Sequence, residues 1–167
     1  MDPCVRSATR CILQMRCTSK RSGNHVLGIL VRPLRATMAE PAAARRVAAV
    51  TGGLGGIGEG IVVALTRRGF DVVVCDRKID PTAAESLEDR AASGARLSFV
   101  GGDLADLEDH PRFIEAVSSA FGRIDCLVNN AGVSVMSRGD LLDVSVESYD
   151  VDFAVNTRGA FFLTQAV

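Results

Sequence analysis

From residue 47 onward, the chain alternates between short apolar runs and longer stretches that carry apolar residues on one helical face. Strands are predicted at the short runs of β-branched and small residues: 47–50, 70–75, 97–100 and 124–128. Helices are predicted where apolar residues recur at intervals of three and four: 56–68, 81–94, 111–122 and a region that begins after Ser145. Strands that alternate with helices in this way form parallel βαβ units, so the pattern predicts an α/β fold with a doubly wound parallel sheet.

Capping residues support these helix boundaries. Asp80 precedes a proline, an arrangement typical of a helix that starts with a side-chain cap. Ser145 is suited to cap the last helix, whereas Gly69 and Gly122 follow the expected ends of two others. That last helix reaches the end of the sequence without a C-terminal cap. We therefore expect a sheet truncated after about four strands, with the strand at 124–128 on an open edge.

The first strand runs directly into a glycine-rich turn, Thr-Gly-Gly-Leu-Gly-Gly-Ile-Gly at residues 51–58. A strand, a glycine turn and a helix in succession present free backbone N–H groups and the positive end of a helix dipole to a phosphate. Glycine also lets the backbone approach a bound pyrophosphate closely, because it has no Cβ. Gly53, Gly55 and Gly58 fit G-x-G-x-x-G, which alone is a weak signal, and a plain strand-to-helix turn is the alternative.

Polar side chains follow the other strands at their carboxyl ends. Asp76 comes directly after the run 70–75, about twenty residues past the glycine turn, where a carboxylate accepts hydrogen bonds from an adenosine ribose. An ordinary loop acid is the alternative. Asp103 and Leu104 follow the third strand, and the segment 129–132 follows the fourth. Because ligands of such sheets bind beyond the carboxyl ends of the strands, this clustering predicts a Rossmann-type dinucleotide site.

Composition narrows the class of protein without changing this picture. The 167 residues are 47% hydrophobic and 23% charged, ordinary values for one globular domain. Five cysteines form no C-x-x-C pair and only two histidines occur, so we expect neither a metal site nor a disulfide framework. This cysteine usage favours a reducing compartment. No apolar run near the N-terminus is long enough to span a membrane, and we expect neither a membrane nor a nucleic acid as partner.

Charge divides the chain near its N-terminus. Residues 1–46 hold nine Lys and Arg against two acids, whereas residues 47–167 hold ten against eighteen. We therefore separate a basic, disordered extension at 1–45 from a domain at 46–167. The extension has three interpretations: upstream sequence before a start at Met38, an organellar transit peptide, or a basic arm for an anionic partner. We expect a cytoplasmic protein, or an organellar one if the transit peptide is real.

Two motifs together resemble those of a known family. Residues 51–58 match T-G-x-x-x-G-x-G, with Gly52, Gly56 and Gly58 as the motif glycines, and residues 129–132 match N-N-A-G. Both resemble the short-chain dehydrogenase/reductase family, and the chain is most similar to its 3-oxoacyl-acyl-carrier-protein reductase-like branch. The resemblance covers nearly all of the chain after the basic extension. It implies the N-terminal part of a dinucleotide-binding domain.

The resemblance implies a set of cofactor-binding positions. The glycine turn would hold the pyrophosphate, and the acid after the second strand would bind the ribose. The pair of residues after the third strand would border the adenine, and the Asn-Ala-Gly stretch would lie along the nicotinamide side. In chain order these positions are Gly52, Gly53, Leu54, Gly55, Gly56, Ile57, Gly58, Asp76, Asp103, Leu104, Asn130, Ala131 and Gly132.

Two asparagines have other implied roles. Asn129 would tie its strand to neighbouring elements by side-chain hydrogen bonds. Asn156 matches the helix asparagine of the family, which holds a water in the catalytic proton relay, and it is the catalytic residue that the resemblance implies here. A buried polar residue satisfied by neighbouring backbone is the alternative for Asn156.

NAD is the expected cofactor, with NADP as the alternative. Asp76 carries a negative charge where the 2′-phosphate of NADP would lie, and the glycine turn contains no basic residue. Arg77 argues for NADP, since a guanidinium beside the site can bind a phosphate. We give the Asp76 carboxylate more weight than the Arg77 guanidinium, and therefore expect NAD.

The chain departs from the family at its catalytic residues. The family uses a Tyr-x-x-x-Lys pair, but Tyr149 is the only tyrosine here and Phe153 stands four positions later. We therefore expect an NAD(P)-dependent oxidoreductase that transfers hydride between a nicotinamide and a small-molecule alcohol or carbonyl, represented without its catalytic segment and inactive alone. A non-catalytic nucleotide-binding module and an inactive truncated product are the alternatives. The complete protein is expected to be a homo-oligomer.

Overall fold

The computed structural model describes the backbone of residues 11–14 and all of residues 45–167 except 135, 137 and 138. The elements in chain order are β1 (Cys11–Gln14), β2 (Arg46–Thr51), α1 (Gly56–Arg67), β3 (Phe70–Asp76), α2 (Pro81–Arg90), β4 (Leu97–Gly101), α3 (Asp109–Phe121), β5 (Cys126–Asn129), a 3₁₀ turn (Leu141–Asp143), α4 (Val146–Phe153), a π-helical segment (Ala154–Gly159) and α5 (Ala160–Ala166). The last three elements follow one another without a break.

All strands of the sheet are parallel, in the order β1-β5-β2-β3-β4. Val50 in β2 lies opposite Val74 in β3 and Val128 in β5. The chain moves from β2 through β3 to β4 on one side, and then returns to place β5 on the other side of β2. This reversal beside β2 is the position at which sheets of this kind bind ligands. The predicted Rossmann-type α/β fold is confirmed.

One strand was not predicted from the sequence. β1 pairs with β5, with Cys11 opposite Cys126 and Gln14 opposite Asn129. The expectation of an open edge at β5 was therefore wrong. A four-residue strand is too short to show a periodicity of its own, and its partner lies more than a hundred residues away in the sequence. The rest of the predicted extension, with the start at Met38, lies outside the described residues.

The predicted helix caps are present. The Asp80 carboxylate accepts a hydrogen bond from the N–H of Thr82 at 3.0 Å, and the Ser145 hydroxyl accepts one from the N–H of Ser148 at 3.2 Å. Helix α2 ends at Arg90 rather than near residue 94, because the chain there turns to hydrogen-bond the neighbouring helix α1. The N–H of the second residue after α2 donates to the Thr66 hydroxyl at 3.1 Å.

The core lies on both faces of the sheet, because alternate residues of each strand point to opposite sides. Helices α1 and α2 cover one face, where the buried residues include Ala48, Val50, Val72, Val74, Val62 and Leu87. Helices α3 and α5 cover the other face, where they include Val47, Ala49, Val73, Phe113, Val117 and Leu163. Among the described residues, no helix has both the length and the apolar character needed to cross a membrane.

Candidate functional site

A cleft of about 820 Å³ opens where β2, β3, β4 and β5 end. Its walls come from the glycine turn, from the segments that follow the other three strands, and from α4 with the π-helical segment. The volume lies within the range of small-molecule and cofactor sites, about 300–1,000 Å³. The carboxyl ends of the strands therefore meet at one site, as the sequence predicts.

Two glycines of the turn are required by the packing of the protein itself. Gly52 has a φ of +64°, and an added Cβ there would lie 2.8 Å from the Cα of Ala131. Its N–H donates to the carbonyl oxygen of Cys75 at 2.7 Å, which fixes the turn against β3. A Cβ at Gly58 would collide with the carbonyl oxygen of Gly52. Helix α1 thus packs directly on the turn because residue 58 has no side chain.

Two further glycines leave space on the side of the turn where α1 begins. Gly55 precedes the helix in an extended conformation, with φ −116° and ψ 136°, and borders the cleft. Gly56 is the first residue of α1. Apart from the adjacent residues and the backbone of α1, an added Cβ at either position would meet no protein atom within 4 Å. The helix N-terminus therefore has an open approach from the cleft, and such N-termini attract anions.

Asp76 stands beside the turn at the end of β3. One carboxylate oxygen accepts a hydrogen bond from the N–H of Leu54 at 3.1 Å, and the other accepts one from the N–H of Arg77 at 2.8 Å. These two bonds orient the carboxylate, which lines the cleft together with Arg77. Each carboxylate oxygen has a second lone pair, so two acceptor positions stay available to a ligand.

Side chains of α3 hold the segment that follows β4. The carboxylate of Asp109 accepts a hydrogen bond from the N–H of Asp103 at 2.9 Å, and an imidazole nitrogen of His110 lies 3.1 Å from the carbonyl oxygen of Leu104. The Asp103 N–H, with a smaller contribution from Arg112, holds the pKa of the Asp109 carboxyl below its usual range. Asp109 therefore accepts this bond as a carboxylate at neutral pH.

Thr51 joins the segment after β5 to the glycine turn. Its hydroxyl accepts hydrogen bonds from the N–H groups of Asn130 and Ala131, both at 3.1 Å. The Asn130 side chain donates back to the carbonyl oxygens of Thr51 at 3.1 Å and Gly52 at 3.0 Å. The backbone after β5 is thereby held against the turn. This role of Thr51 was not predicted from the sequence, although the residue opens the T-G-x-x-x-G-x-G motif.

The two other asparagines contact different elements. The Asn129 side chain donates to the Thr164 hydroxyl at 2.8 Å and so links β5 to α5. Asn156, in the π-helical segment, engages both backbone groups of Val133. Its carbonyl oxygen accepts from the Val133 N–H at 2.8 Å, and its NH₂ donates to the Val133 carbonyl oxygen at 2.9 Å. Asn156 therefore fixes the loop that follows the N-N-A-G motif. Its amide is satisfied by backbone groups, as the alternative interpretation predicts, although the residue is exposed rather than buried.

Ten of the predicted cofactor positions line the cleft: Gly52, Gly55, Ile57, Gly58, Asp76, Asp103, Leu104, Asn130, Ala131 and Gly132. The other three are absent from its walls. Gly53 lies behind the turn, where an added Cβ would come within 2.8 Å of Val74. The Leu54 side chain packs against the core, and its N–H contacts Asp76. Gly56 lies between two residues that line the cleft.

No tyrosine or lysine is among the residues that line this cleft. Tyr149 is half exposed, and its ring stacks on Phe153 with centroids 4.3 Å apart. Within the described part of the chain, no group of three or more metal-binding side chains comes together. The cleft can therefore bind and orient a nucleotide, whereas a proton-transferring phenol–ammonium pair is missing from its described walls.

The family model for short-chain dehydrogenases matches residues 46–167. The chain thus belongs to the short-chain dehydrogenase family, as the glycine turn and the N-N-A-G motif predict.

Among curated proteins, the chain is 36% identical over 122 residues to a hydroxynaphthalene reductase-like protein Arp2 of Metarhizium guizhouense, covering 73% of this chain and 45% of that protein. It is 33% identical over 122 residues to 2-dehydro-3-deoxy-D-gluconate 5-dehydrogenase of Dickeya dadantii, covering 73% and 46%. The chain therefore spans about half the length of these relatives.

Solved structures show the same fold. A 3-oxoacyl-[acyl-carrier protein] reductase from Brucella melitensis in complex with NAD superposes with a TM-score of 0.69 at 44% identity, covering 75% of this chain and 49% of that one. A 3-ketoacyl-(acyl-carrier-protein) reductase from Brucella melitensis complexed with NADH gives a TM-score of 0.63 at 32% identity, covering 72% and 48%.

Proposed function

We propose that the cleft binds NAD and that the chain supplies the cofactor site of an oxidoreductase. One observation carries the proposal: around Gly55 and Gly56, at the start of α1, a Cβ would meet no atom within 4 Å beyond the adjacent residues and the backbone of α1. A pyrophosphate can approach the backbone there and bind at the helix N-terminus. Family membership and the NAD complex of the Brucella melitensis reductase support this assignment.

The residues of the cleft fit the remaining parts of the dinucleotide. Asp76 would accept hydrogen bonds from the adenosine ribose, for which its carboxylate is already oriented by two backbone N–H groups. Asp103 and Leu104 would border the adenine, and the segment 130–132 would follow the nicotinamide. The negative charge of Asp76 disfavours the 2′-phosphate of NADP, whereas Arg77 in the same wall favours it. NAD is the stronger candidate.

The complete protein would transfer hydride between the nicotinamide and an alcohol or carbonyl carbon of a small molecule. The cofactor supplies the hydride chemistry when bound, while the protein binds and orients the reactants. Asn156 would hold a water near the reacting groups, because its carboxamide keeps one N–H and one lone pair beyond its two bonds to Val133. We expect a homo-oligomer in the cytoplasm. The buried, free thiol of Cys75 suits a reducing compartment.

A nucleotide-binding module without catalysis is the second candidate for this chain alone. It is favoured by the absence of tyrosine and lysine from the cleft walls. Loss of a positioned proton donor typically lowers the rate by about 10² to 10⁴. An NADH-consumption assay with ketones and 3-oxoacyl thioesters is therefore expected to stay at background. Turnover that disappears in a folded Asn156→Ala variant would show that the chemistry resides in this chain.

Isothermal titration calorimetry of the full chain tests the proposed binding. Saturable binding of NAD, tighter than that of NADP, is expected. Saturable binding of NADP with weaker NAD binding would contradict the cofactor assignment, and no saturable heat with either dinucleotide would contradict the site itself.

A further inference from the structure

The segment after β4, residues 102–105, contacts the π-helical segment directly. The guanidinium of Arg158 donates a hydrogen bond to the carbonyl oxygen of Ala105 at 2.9 Å. These residues lie 53 positions apart in the sequence. The donor is charged, which makes such a bond stronger than one between neutral groups.

A close backbone approach accompanies this bond. Gly159 is buried, and a Cβ added to it would collide with the carbonyl oxygen of Leu104. The same Cβ would lie 3.1 Å from the carbonyl oxygen of Ala154. The helical backbone thus packs on the segment 102–105 without an intervening side chain. Because close-packed groups transmit strain, a displacement of Leu104 also displaces the helical backbone.

The same helical segment contacts a second loop. Asn156 holds both backbone groups of Val133 through its side-chain amide. Arg158 and Asn156 therefore connect two loops that line the cleft, one after β4 and one after β5. All these contacts start from the π-helical segment Ala154–Gly159, and π-helical insertions in α-helices are frequent at functional sites.

We propose that Arg158 and Gly159 are positioning residues that couple the segment 102–105 to Asn156. A ligand that settles against Leu104 and Ala105 shifts the Ala105 carbonyl, and Arg158 transmits this shift to the π-helical segment. Asn156 and the Val133 loop then adjust together. The role of the ligand rests on the proposed function, whereas the mechanical connection is a property of the protein alone.

The first test needs no ligand. Asp109→Asn weakens the bond to the Asp103 N–H at the far side of the segment 102–105. In ¹⁵N NMR spectra of the full chain, this change is expected to shift the side-chain NH₂ resonances of Asn156. In the Arg158→Met background, this shift is expected to fall to less than half of its size in the chain with Arg158. In the Arg158→Lys background it is expected to persist, because lysine keeps a charged donor. An equal shift in both backgrounds would overturn the coupling.

Thr157→Ala serves as the matched control. Thr157 is exposed and lies between Asn156 and Arg158 in the sequence, so its substitution reports any effect of mere proximity to Asn156. The response of Asn156 to Asp109→Asn is expected to be retained in this background. Its loss there would show that any nearby change abolishes the response, and would contradict a specific role of Arg158.

The second test uses AMP as the probe. At saturation, AMP is expected to shift the Asn156 resonances in the wild-type chain and in Thr157→Ala, but not in Arg158→Met. The affinity of Arg158→Met for AMP is expected to fall about threefold to tenfold, the effect of one lost hydrogen bond. An unchanged Asn156 response in saturated Arg158→Met would overturn the inference. Failure of AMP to bind the wild-type chain would instead contradict the proposed function, and the ligand-free test would still decide the coupling.

Discussion

Gly55→Ala is expected to separate the binding of a dinucleotide from the stability of the fold. The φ and ψ angles of Gly55, −116° and 136°, are accessible to alanine, and no protein atom beyond the two adjacent residues lies within 4 Å of the added methyl group. The new methyl group therefore points into space that, by our proposal, a pyrophosphate occupies.

The effects of Gly55→Ala on the free energy of unfolding and on the Kd for NAD differ in size. At the residue that precedes α1, alanine is a poorer cap than glycine, but it also lowers the entropy of the unfolded chain by about 0.4–1 kcal/mol. The free energy of unfolding is therefore expected to change by less than about 1 kcal/mol. Crowding of a close-packed contact by one methyl group costs about 1–3 kcal/mol, which raises the Kd for NAD about fivefold to 150-fold.

Gly60→Ala is the matched control, because Gly60 lies in α1, the helix that Gly55 precedes, and a Cβ added to it meets no atom within 4 Å beyond its chain neighbours and the backbone of α1. Gly60 does not line the cleft, so this variant is expected to gain about 0.5–1 kcal/mol in stability and to bind NAD as the wild type does. Calorimetric titration with NAD and urea unfolding of both variants measure the two quantities. NAD binding by Gly55→Ala at wild-type affinity would refute the assignment of the turn to the pyrophosphate.

Three further predictions concern charged and thiol groups. Asp76→Ala is expected to weaken NAD binding about tenfold to 100-fold and to narrow the preference for NAD over NADP. Calorimetry with both cofactors would measure this, and an unchanged ratio of the two Kd values would contradict the role of the carboxylate. Burial, with Asp76 and Asp109, raises the pKa of the Cys75 thiol to about 12, so peptide mass spectrometry after iodoacetamide treatment at pH 8 is expected to find Cys75 alkylated only in denaturant. The lowered pKa of Asp109 means that its contribution to stability is present above the carboxyl pKa of the unfolded chain and is lost as the pH falls through the folded value. Urea unfolding between about pH 5 and pH 3 is therefore expected to show a smaller acid-induced loss for Asp109→Asn than for the wild type.

Sequence patterns predicted the central sheet and most helix boundaries because local signals determine them. Glycine and proline mark the ends of apolar runs, and the side chains of Asp80 and Ser145 bond within the next three residues. The end of α2 was placed too late because the contact that ends it, with Thr66, joins residues 26 positions apart. The pairing of β1 with β5 was missed for the same reason.

The candidate site was predicted to the level of its backbone motifs but not of its internal contacts. The glycine spacing and Asp76 can be recognised from residue types alone. By contrast, the bonds of Thr51 to Asn130 and of Arg158 to Ala105 span 79 and 53 positions and depend on the packed fold. The π-helical segment was not predicted from the sequence, and the close approach of Gly159 to the Leu104 carbonyl is likewise a contact between distant residues. Long-range side-chain contacts are therefore what the sequence alone does not reveal.

Mapping of NAD on the full chain by ¹⁵N NMR tests the central claim most directly. Saturable shifts are expected for the backbone N–H groups of Gly55, Gly58 and Asp76, which line the cleft, while that of Gly69 at the opposite end of α1 is expected to stay unchanged. This result would place the dinucleotide at the glycine turn. Saturable shifts confined to residues outside the cleft, or none at all at millimolar NAD, would contradict the account.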